Sequence, residues 1–343
     1  MKTVAMVLVA MLMTCQGSVS ANEDPWTPPE EHQYYLRVAD ALEASANPRE
    51  RLLAAQLLGI VLWSHEASRA AGHASAAANN GHGRSLDRLR VLRAQVLESG
   101  DPLVLAVATQ AFGPRDAGPR RELIADRWQD VDAGNLAPML YSDASIEETL
   151  AGSRGAVRYD SYGYRHLQLM HRVFLRLPMT VAESTGPGWS RHPSDDERAA
   201  VQAFAIKAAL SAPAFQNLTN ACKEPALSSI PSRGADCLHV AKVLAQKSDS
   251  LLSQRIGLLI LRRTATTEKD KALWSQLERN HRWLWHNSNV LWGQSDEPEQ
   301  VAQLLEIIGA QGVANELQLT EALMRLRGIP LVPPQDWKAP EAT

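Results

Sequence analysis

The residues best suited to form a polar pocket lie together in one short segment, residues 159–166. Three tyrosines, an aspartate, an arginine and a histidine occur within these eight positions. Such side chains can hydrogen-bond a ligand, and some of them can exchange protons with it. The same side chains can instead cap a helix and close a loop through their hydroxyl groups. We take Tyr162, Tyr164 and His166 as candidate binding residues and keep the structural alternative open.

A further candidate is Trp283, in a tryptophan-rich stretch between residues 274 and 292. In a helix, Trp274, Trp285 and Trp292 align on one face together with leucines, which is the pattern of a core face. Trp283 points to the opposite side. Because aromatic side chains are favoured anchors in protein interfaces, Trp283 is a candidate for a ligand or partner groove. The alternative is a helix that is covered on two sides.

Histidines and sequence motifs define no catalytic or metal centre. His65, His73 and His82 cluster in the sequence, but no acidic residue or cysteine stands at the spacing of a metal ligand. Nucleophile-elbow, phosphate-loop and dinucleotide-binding motifs are all missing from the sequence. We therefore predict no metal and no cofactor, and the sequence leaves any catalytic residue unassigned.

One dipeptide suggests an enzyme. Glu183-Ser184 resembles the Glu-Ser pair of lytic transglycosylases, in which the glutamate acts as a general acid on a glycan. That chemistry requires an apolar pocket that raises the pKa of the glutamate. Here a Thr-Gly-Pro-Gly turn follows the pair, and the downstream Gly-Leu-Met-Gln of that family is missing. A hydrolase or lyase that acts on cell-envelope material, with a dispersed active site, is therefore kept as the alternative function.

The N-terminus carries the three parts of a secretory signal peptide, residues 1–21. A basic start at Lys2 is followed by an apolar run over residues 4–13 and by a small-x-small ending. An apolar run this short cannot span a bilayer as a helix. We predict cleavage after Ala21, a mature protein in the periplasm or outside the cell, and no transmembrane helix in the mature chain. The alternative is a lipoprotein acylated on Cys15.

Removal of the signal peptide leaves two cysteines, Cys222 and Cys237. An exported protein folds in an oxidising compartment, where an even pair of cysteines tends to form a disulfide. We predict that these two residues are bonded to each other, with two buried free thiols as the alternative. Their spacing is not that of a Cys-x-x-Cys redox motif, so we assign the bond a structural role.

Nearly all of the chain after residue 30 has the pattern of α-helix. Helix starts are indicated where a capping residue precedes a proline, as in Asn47-Pro48 and Asp101-Pro102, and where a capping box begins at Ser194. No pair of alternating apolar runs is joined by a hairpin turn. We predict an all-α protein of about thirteen helices, whose short connections place neighbouring helices antiparallel.

Two stretches are similar to helical-repeat proteins. Residues 128–138, Trp-Gln-Asp-Val-Asp-Ala-Gly-Asn-Leu-Ala-Pro, resemble the turn between successive repeats, and residues 236–247 with 249–257 resemble a helix pair of the tetratricopeptide/HEAT-like proteins. The chain also resembles uncharacterised exported proteins of Gram-negative bacteria. The first resemblance implies antiparallel helix pairs stacked as a solenoid. Because the helix junctions fall at irregular intervals, an irregular solenoid and a helical bundle both stay open.

Two soft regions interrupt the helical pattern. Residues 67–83 combine Ala, Gly, Asn, Ser and His with little apolar periodicity, which predicts a mobile loop. Residues 177–193 are rich in proline and glycine and mark a boundary between an N-terminal half, 22–178, and a C-terminal half, 195–330. Residues 331–343 form a predicted tail.

The composition limits the classes of function. With 35 Lys+Arg and 38 Asp+Glu, the chain has a formal net charge of −3, so it lacks the basic excess of a nucleic-acid-binding protein. Together with the helical pattern and the missing catalytic motifs, this predicts an exported helical-repeat protein that binds a protein or peptide. A small-ligand or metal binder that uses the His and Tyr clusters is a further alternative.

Overall fold

The computed structural model describes the chain over residues 29–339, except 71–75, 113–118, 181–182, 184–193, 211, 214, 294–297 and 311. The predicted signal peptide, with its cleavage site after Ala21 and with Cys15, lies outside the described residues. Within the described residues there are sixteen α-helices, and the β-structure consists of two isolated backbone bridges. The predicted all-α fold is confirmed.

The helices follow one another through mostly short connections. They are α1 (Pro29–Glu43), α2 (Pro48–Ala70), α3 (Ala76–Leu97), α4 (Pro102–Ala111), α5 (Pro119–Val131), α6 (Ala137–Tyr141), α7 (Ile146–Gly152), α8 (Gly163–Arg176), α9 (Asp195–Ala208), α10 (Phe215–Ala221), α11 (Ala226–Ser229), α12 (Arg233–Lys247), α13 (Leu251–Thr264), α14 (Glu268–Gly293), α15 (Pro298–Ile308) and α16 (Glu316–Leu326). In the described part of the chain, none of them combines the length and the apolar character that a membrane span requires.

Local capping fixes where several helices begin. Ahead of α4, the Asp101 carboxylate accepts a hydrogen bond from the Leu103 N–H, and Pro102 occupies the first helical position. Ahead of α9, Ser194 and Glu197 form the predicted capping box. Each of these side-chain acceptors pairs a backbone N–H that the first helical turn leaves without a partner. The predicted starts at Asp101 and Ser194 are confirmed.

The structure differs from the loop predicted for residues 67–83. Helix α2 continues to Ala70 and helix α3 begins at Ala76, and residues 71–75 lie outside the described residues. Alanine is the commonest residue in this stretch. Its helix propensity, the highest of all residues, outweighs the unfavourable propensities of the intervening glycine and asparagine residues.

The helices form two compact units, and neither unit is one continuous stretch of chain. Unit 1 comprises residues 1–124 and 166–211, and unit 2 comprises residues 125–165 and 212–343. The division therefore departs from the two successive halves that the sequence predicts. Hydrophobic periodicity shows which face of a helix is buried, but it does not show which distant helix covers that face.

Unit 1 has its core around α2. Helix α1 packs against α2, and α3 and α4 each pack against α2 as well. Every α2 side chain from Leu52 to Leu58 is buried. The Arg88 guanidinium on α3 forms ion pairs with Asp40 and Glu43 on α1, both at 2.6 Å. Neighbours in sequence are therefore neighbours in space, as short connections require.

Unit 2 is built around α12 and α13. These helices approach so closely at Gly257 that a Cβ atom added there would lie 2.7 Å from Leu244 Cβ. Helix α14 packs against α13, and α16 packs against α14. Helices α13 and α16 therefore fix the position of α14 within unit 2.

Unit 2 also contains the predicted disulfide. The sulfur atoms of Cys222 and Cys237 are 2.03 Å apart, and both residues are fully buried. Cys222 directly follows α10 and Cys237 lies in α12. The predicted pairing is confirmed, and the sequence separation of the two residues is 15.

Removal of this disulfide should destabilise unit 2. We expect the Cys222→Ala/Cys237→Ala variant to lose about 3 kcal/mol of free energy of unfolding, because its unfolded state is no longer restricted by a closed loop. Urea denaturation followed by circular dichroism measures the loss. Lys223→Ala, which changes an exposed residue between the cysteines, is the matched control. A double variant as stable as the wild-type chain would contradict the stabilising role of the bond.

Candidate functional site

Helix α14 places Arg279 and Trp283 on one face, because residues four apart lie above each other in a helix. The helix begins where the Asp270 N–H donates a hydrogen bond to the Thr267 hydroxyl, at 3.1 Å. The buried His281 faces α13, with its Nε2 atom 2.9 Å from the backbone oxygen of Leu251. Contact with α13 thus holds the helix and leaves Arg279 and Trp283 to contact other parts of unit 2.

Trp283 is covered by residues 329–339 of the same chain, which we call the C-terminal segment. The indole N–H donates a hydrogen bond to the backbone oxygen of Pro330, at 2.7 Å. The ring of Trp337 meets the Trp283 ring edge-on, with the centroids 5.2 Å apart and an angle of 77° between the planes. Only 9 % of Trp283 is exposed. The structure thus corresponds to the alternative in which this helix is covered on two sides.

Arg279 extends the contact along the C-terminal segment. Its guanidinium donates hydrogen bonds to the backbone oxygens of Pro334 and Gln335, the second at 3.2 Å. Pro333, between the two points of attachment, is buried. Two side chains one helical turn apart therefore bind three backbone carbonyl groups of a non-helical stretch of chain.

The end of α16 leads the chain to this face. The helix ends at Leu326, and Gly328 adopts a left-handed conformation with φ +67°. Glycine favours this conformation because it has no Cβ atom. The Ile329 N–H then donates to the backbone oxygen of Met324 at 2.8 Å and closes the helix end. Because α16 packs against α14, the C-terminal segment begins beside the helix that binds it.

Two other tryptophans of α14, Trp274 and Trp285, lack the full burial of the predicted core face. Trp274 and Trp285 are each only partly buried, and the side chain of Trp292 lies outside the described residues. The Arg255 guanidinium lies over the Trp285 ring, 5.3 Å from its centroid, and the His281 ring stacks against the same tryptophan. A cation over the ring replaces part of the apolar cover that a core position would have.

Tyr162 closes a loop in unit 2. Its hydroxyl donates to the Asp132 carboxylate at 3.0 Å, and its φ of 59° is unusual for a residue other than glycine. The Tyr162 N–H donates to the Asp160 carboxylate, which also accepts from Arg165 at 3.1 Å. The Arg165 guanidinium lies over the Tyr162 ring, 4.9 Å from its centroid. These contacts fit the structural alternative for this segment, and Tyr164 is buried as well.

A buried asparagine shares the Asp132 carboxylate with Tyr162. The Asn135 amide nitrogen donates to that carboxylate at 2.9 Å and to the backbone oxygen of Asp160 at 2.8 Å. The Asn135 amide oxygen accepts from the N–H groups of Ala137 and Asp160. A buried amide costs little free energy when its donors and acceptors are all paired, so this network fixes the backbone at Asp160.

One unusual acid of unit 2, Asp249, is not indicated by any sequence pattern. Its Oδ2 atom accepts hydrogen bonds from the Ser161 N–H at 2.8 Å and from the Ser161 hydroxyl at 2.7 Å. Its Oδ1 atom is buried and has no hydrogen-bond partner among the described residues. Burial, reinforced by the negative charge of Asp160, raises the pKa of Asp249 to about 7. A serine-flanked aspartate before a helix has the pattern of an ordinary capping residue, so no local signal reveals this burial.

His166 belongs to unit 1, whereas Tyr162 and Tyr164 belong to unit 2. His166 is fully buried, and its Nε2 atom lies 2.7 Å from Gln56 Oε1. Burial lowers the pKa of His166 to about 3, so the ring is neutral at physiological pH. The candidate residues of segment 159–166 are therefore divided between the two units.

We expect the His166 ring to stay neutral from about pH 8 to about pH 4, because protonation would place a charge in the interior of unit 1. Its folded pKa lies below the ordinary value of 6.5, so this group reduces the stability of unit 1 as the solution becomes more acidic. Long-range proton–nitrogen NMR spectra report the protonation state, and the His166→Gln variant identifies the signals. A titration midpoint near the ordinary value would contradict the burial of this ring.

The pKa of Glu183 is shifted in the opposite direction from that of a general acid. The Arg37 guanidinium donates to its two carboxylate oxygens, at 3.0 Å and 2.7 Å. The hydrogen bonds from Arg37 lower the pKa of Glu183 to about 2, against the effect of burial. Transglycosylase chemistry needs a raised pKa at this position, so the geometry does not support that role for Glu183.

The histidine cluster is only partly within the described residues. His73 and the side chain of His82 lie outside them, and the His65 ring lies 5.4 Å from the His32 ring, measured between centroids. In the described part of the chain, no group of three His, Cys, Asp or Glu side chains is placed to hold a metal ion.

Comparisons with known proteins do not assign the chain to a family. No protein-family model matches the chain, and no curated protein or solved structure is significantly similar to it. The resemblance to tetratricopeptide/HEAT-like proteins therefore stays a prediction. The contacts of Trp283 and Arg279 with the C-terminal segment resemble the binding of a peptide ligand, because side-chain donors of a helix bind backbone oxygens of a non-helical stretch.

Proposed function

We propose that this protein is an exported helical scaffold that binds a non-helical segment of a partner protein. The site is the face of α14 that carries Arg279 and Trp283, which we call the α14 face. One observation carries the proposal: the α14 face holds a stretch of peptide through its backbone carbonyl groups. Because such hydrogen bonds depend little on the side chains of the ligand, the same donors suit segments of other proteins.

The contacts set the strength that we expect. A hydrogen bond in this setting adds about 1 kcal/mol to binding, and an aromatic pair such as Trp283 with Trp337 adds a similar amount. A separate peptide also loses translational and rotational freedom, which costs about 4 kcal/mol or more, and the burial of the Trp283 and Pro333 side chains offsets this cost. We therefore expect weak binding, with dissociation constants of about 0.1 to 1 mM, as for a transient scaffold contact.

The location is part of the proposal. The N-terminal pattern of basic start, apolar run and small-x-small ending favours export, and a bond between Cys222 and Cys237 fits an oxidising compartment. The partner is then an extracytoplasmic protein. Mass spectrometry of the exported chain tests this part: we expect a mature start at Asn22 and no acyl group on Cys15.

Peptide selection tests the binding function on the full-length chain. The Trp337→Ser variant weakens the hold of the C-terminal segment and keeps Arg279 and Trp283, so we present it to a random library of displayed peptides. We expect recurrent peptides, and fluorescence anisotropy measures their affinity. Trp283→Phe, which removes the indole donor and keeps an aromatic ring, should weaken their binding up to about tenfold. Arg279→Gln should weaken it to a similar degree.

The matched control is Arg325→Gln on α16, which changes an exposed arginine paired with Glu321 on the same helix. It should leave peptide binding unchanged. Circular dichroism shows whether every variant keeps its helix content. The proposed function is wrong if no peptide is enriched, or if the enriched peptides bind equally well after both donors have been removed.

A further inference from the structure

We propose that the partner segment is proline-rich, and that the C-terminal segment is a tethered equivalent of it. In the resting chain the C-terminal segment occupies the α14 face, and the partner displaces it. This rests on the proposed function, and it adds the chemistry of the partner and a closed resting state.

Prolines are frequent in the part of the C-terminal segment that contacts the α14 face. Two of the three bound carbonyl groups belong to Pro330 and Pro334, and the buried residue between the points of attachment is Pro333. Because proline has no N–H, a proline-rich stretch can pack against a helix without burying donors that lack partners. Its fixed φ also reduces the conformational entropy that a ligand loses on binding. A partner with prolines at similar spacing meets the same conditions.

An aromatic residue of the C-terminal segment, Trp337, also contacts the α14 face. The backbone N–H of Trp337 donates to the backbone oxygen of Pro334 at 3.0 Å, and this turn brings the Trp337 ring against Trp283. The order of residue types from position 330 to 337 is Pro-x-x-Pro-Pro-x-x-Trp. In this order the proline-rich part meets the two donors and the aromatic residue meets the indole ring. We expect the partner segment to carry prolines followed by an aromatic residue.

Charge contributes little to the choice of ligand at this face. Arg279 bonds to backbone oxygens of the C-terminal segment, and Asp336, the acidic residue of that segment, is exposed. The neighbouring Arg282 is paired with Glu278 on the same helix, at 2.6 Å. The α14 face therefore suits a neutral proline-rich segment better than an acidic one.

The C-terminal segment can leave the α14 face without the unfolding of a helix. It begins after the turn at Gly328, and Val332 within it is 65 % exposed. Because the segment is tethered to α16, its effective concentration at the α14 face is about millimolar. A free peptide with the same contacts must compete with it. The wild-type chain should therefore bind such a peptide about tenfold more weakly than a chain whose own segment is loosened.

A synthetic peptide with the sequence of residues 328–339 tests this on full-length proteins. Fluorescence anisotropy measures its binding to the wild-type chain, to Trp337→Ser and to Lys338→Ser, which changes an exposed residue of the same segment. We expect about tenfold tighter binding to Trp337→Ser than to the other two proteins. A second peptide, with alanine in place of all three prolines, should bind Trp337→Ser about tenfold more weakly than the first. Thermal unfolding shows whether the proteins are equally folded.

The outcomes separate this inference from the proposed function. Equal binding of the first peptide to the wild-type chain and to Trp337→Ser would overturn the closed resting state. Equal binding of the alanine peptide would overturn the proline-rich partner, even though selected peptides still bind. If neither peptide nor any selected peptide binds, the proposed function itself fails. Concentration-dependent dimers of the wild-type chain that disappear in Trp337→Ser would assign the C-terminal segment to a second copy and overturn the inference.

Discussion

Replacement of Gly257 by alanine should destabilise unit 2 by about 3 kcal/mol or more. A Cβ atom at this position would lie 2.7 Å from Leu244 Cβ and 2.8 Å from the Leu244 backbone carbon. Leu244 is fully buried in α12, so the new methyl group meets backbone that cannot rotate away. Helices α12 and α13 must then separate, and the contacts along their whole interface weaken. Urea denaturation followed by circular dichroism measures the lost free energy of unfolding.

Gly234→Ala is the matched control, because it changes the same residue type in the same pair of helices. Nothing lies within 4 Å of a Cβ atom added at Gly234. Alanine has a higher helix propensity than glycine, so this variant should be as stable as the wild-type chain or up to about 1 kcal/mol more stable. Equal stabilities of Gly257→Ala and Gly234→Ala would mean that the close approach of α12 to α13 is not needed.

A rise from about pH 4 to about pH 8 should destabilise unit 2, and Asp249→Asn should remove most of this effect. The pKa of Asp249 is about 7 in the folded chain, against an ordinary value of 3.8. Between these two values, the folded state keeps a proton that the unfolded state has released. The contribution of this group to stability is therefore largest below the lower value and is lost as the pH rises through the upper one. The full difference amounts to up to about 4 kcal/mol.

Hydrogen exchange of α13 amides, corrected for the intrinsic exchange rate, measures this effect within unit 2. A local measurement is needed because His166 has the opposite influence on unit 1. Asp143→Asn, which changes an exposed aspartate of unit 2, should keep the wild-type dependence on pH. If wild-type unit 2 became more stable as the solution became more alkaline, the raised pKa of Asp249 would be contradicted.

The local parts of the fold could be predicted from the sequence. Capping by Asp101 and by Ser194 depends on residues within a single turn of helix. The sidedness of Trp283 follows from helical rotation, and the pairing of Cys222 with Cys237 follows from there being two cysteines after the predicted cleavage site. Each of these inferences uses the physics of a few neighbouring residues or of one residue type.

The distant residues that contact Trp283 and Asp249 could not be predicted. Pro330, which accepts the Trp283 hydrogen bond, lies 47 positions away, and Ser161, which bonds to Asp249, lies 88 positions away. Neither the period of a helix nor the preference of a capping residue relates groups so far apart. For the same reason, the sequence pattern suggests two successive halves where the folded chain has two interleaved units.

The interleaving of the two units has a consequence for the order in which the chain acquires its structure. Synthesis proceeds from the N-terminus, so residues 125–165 emerge before the piece that completes unit 1 and long before the piece that completes unit 2. Unit 1 should become resistant to proteases first. Residues 125–165, which lie between its two pieces in the sequence, should stay open to cleavage until the rest of unit 2 has been synthesised. Because each unit consists of two separate pieces of the chain, no single cleavage of the backbone can release either unit intact.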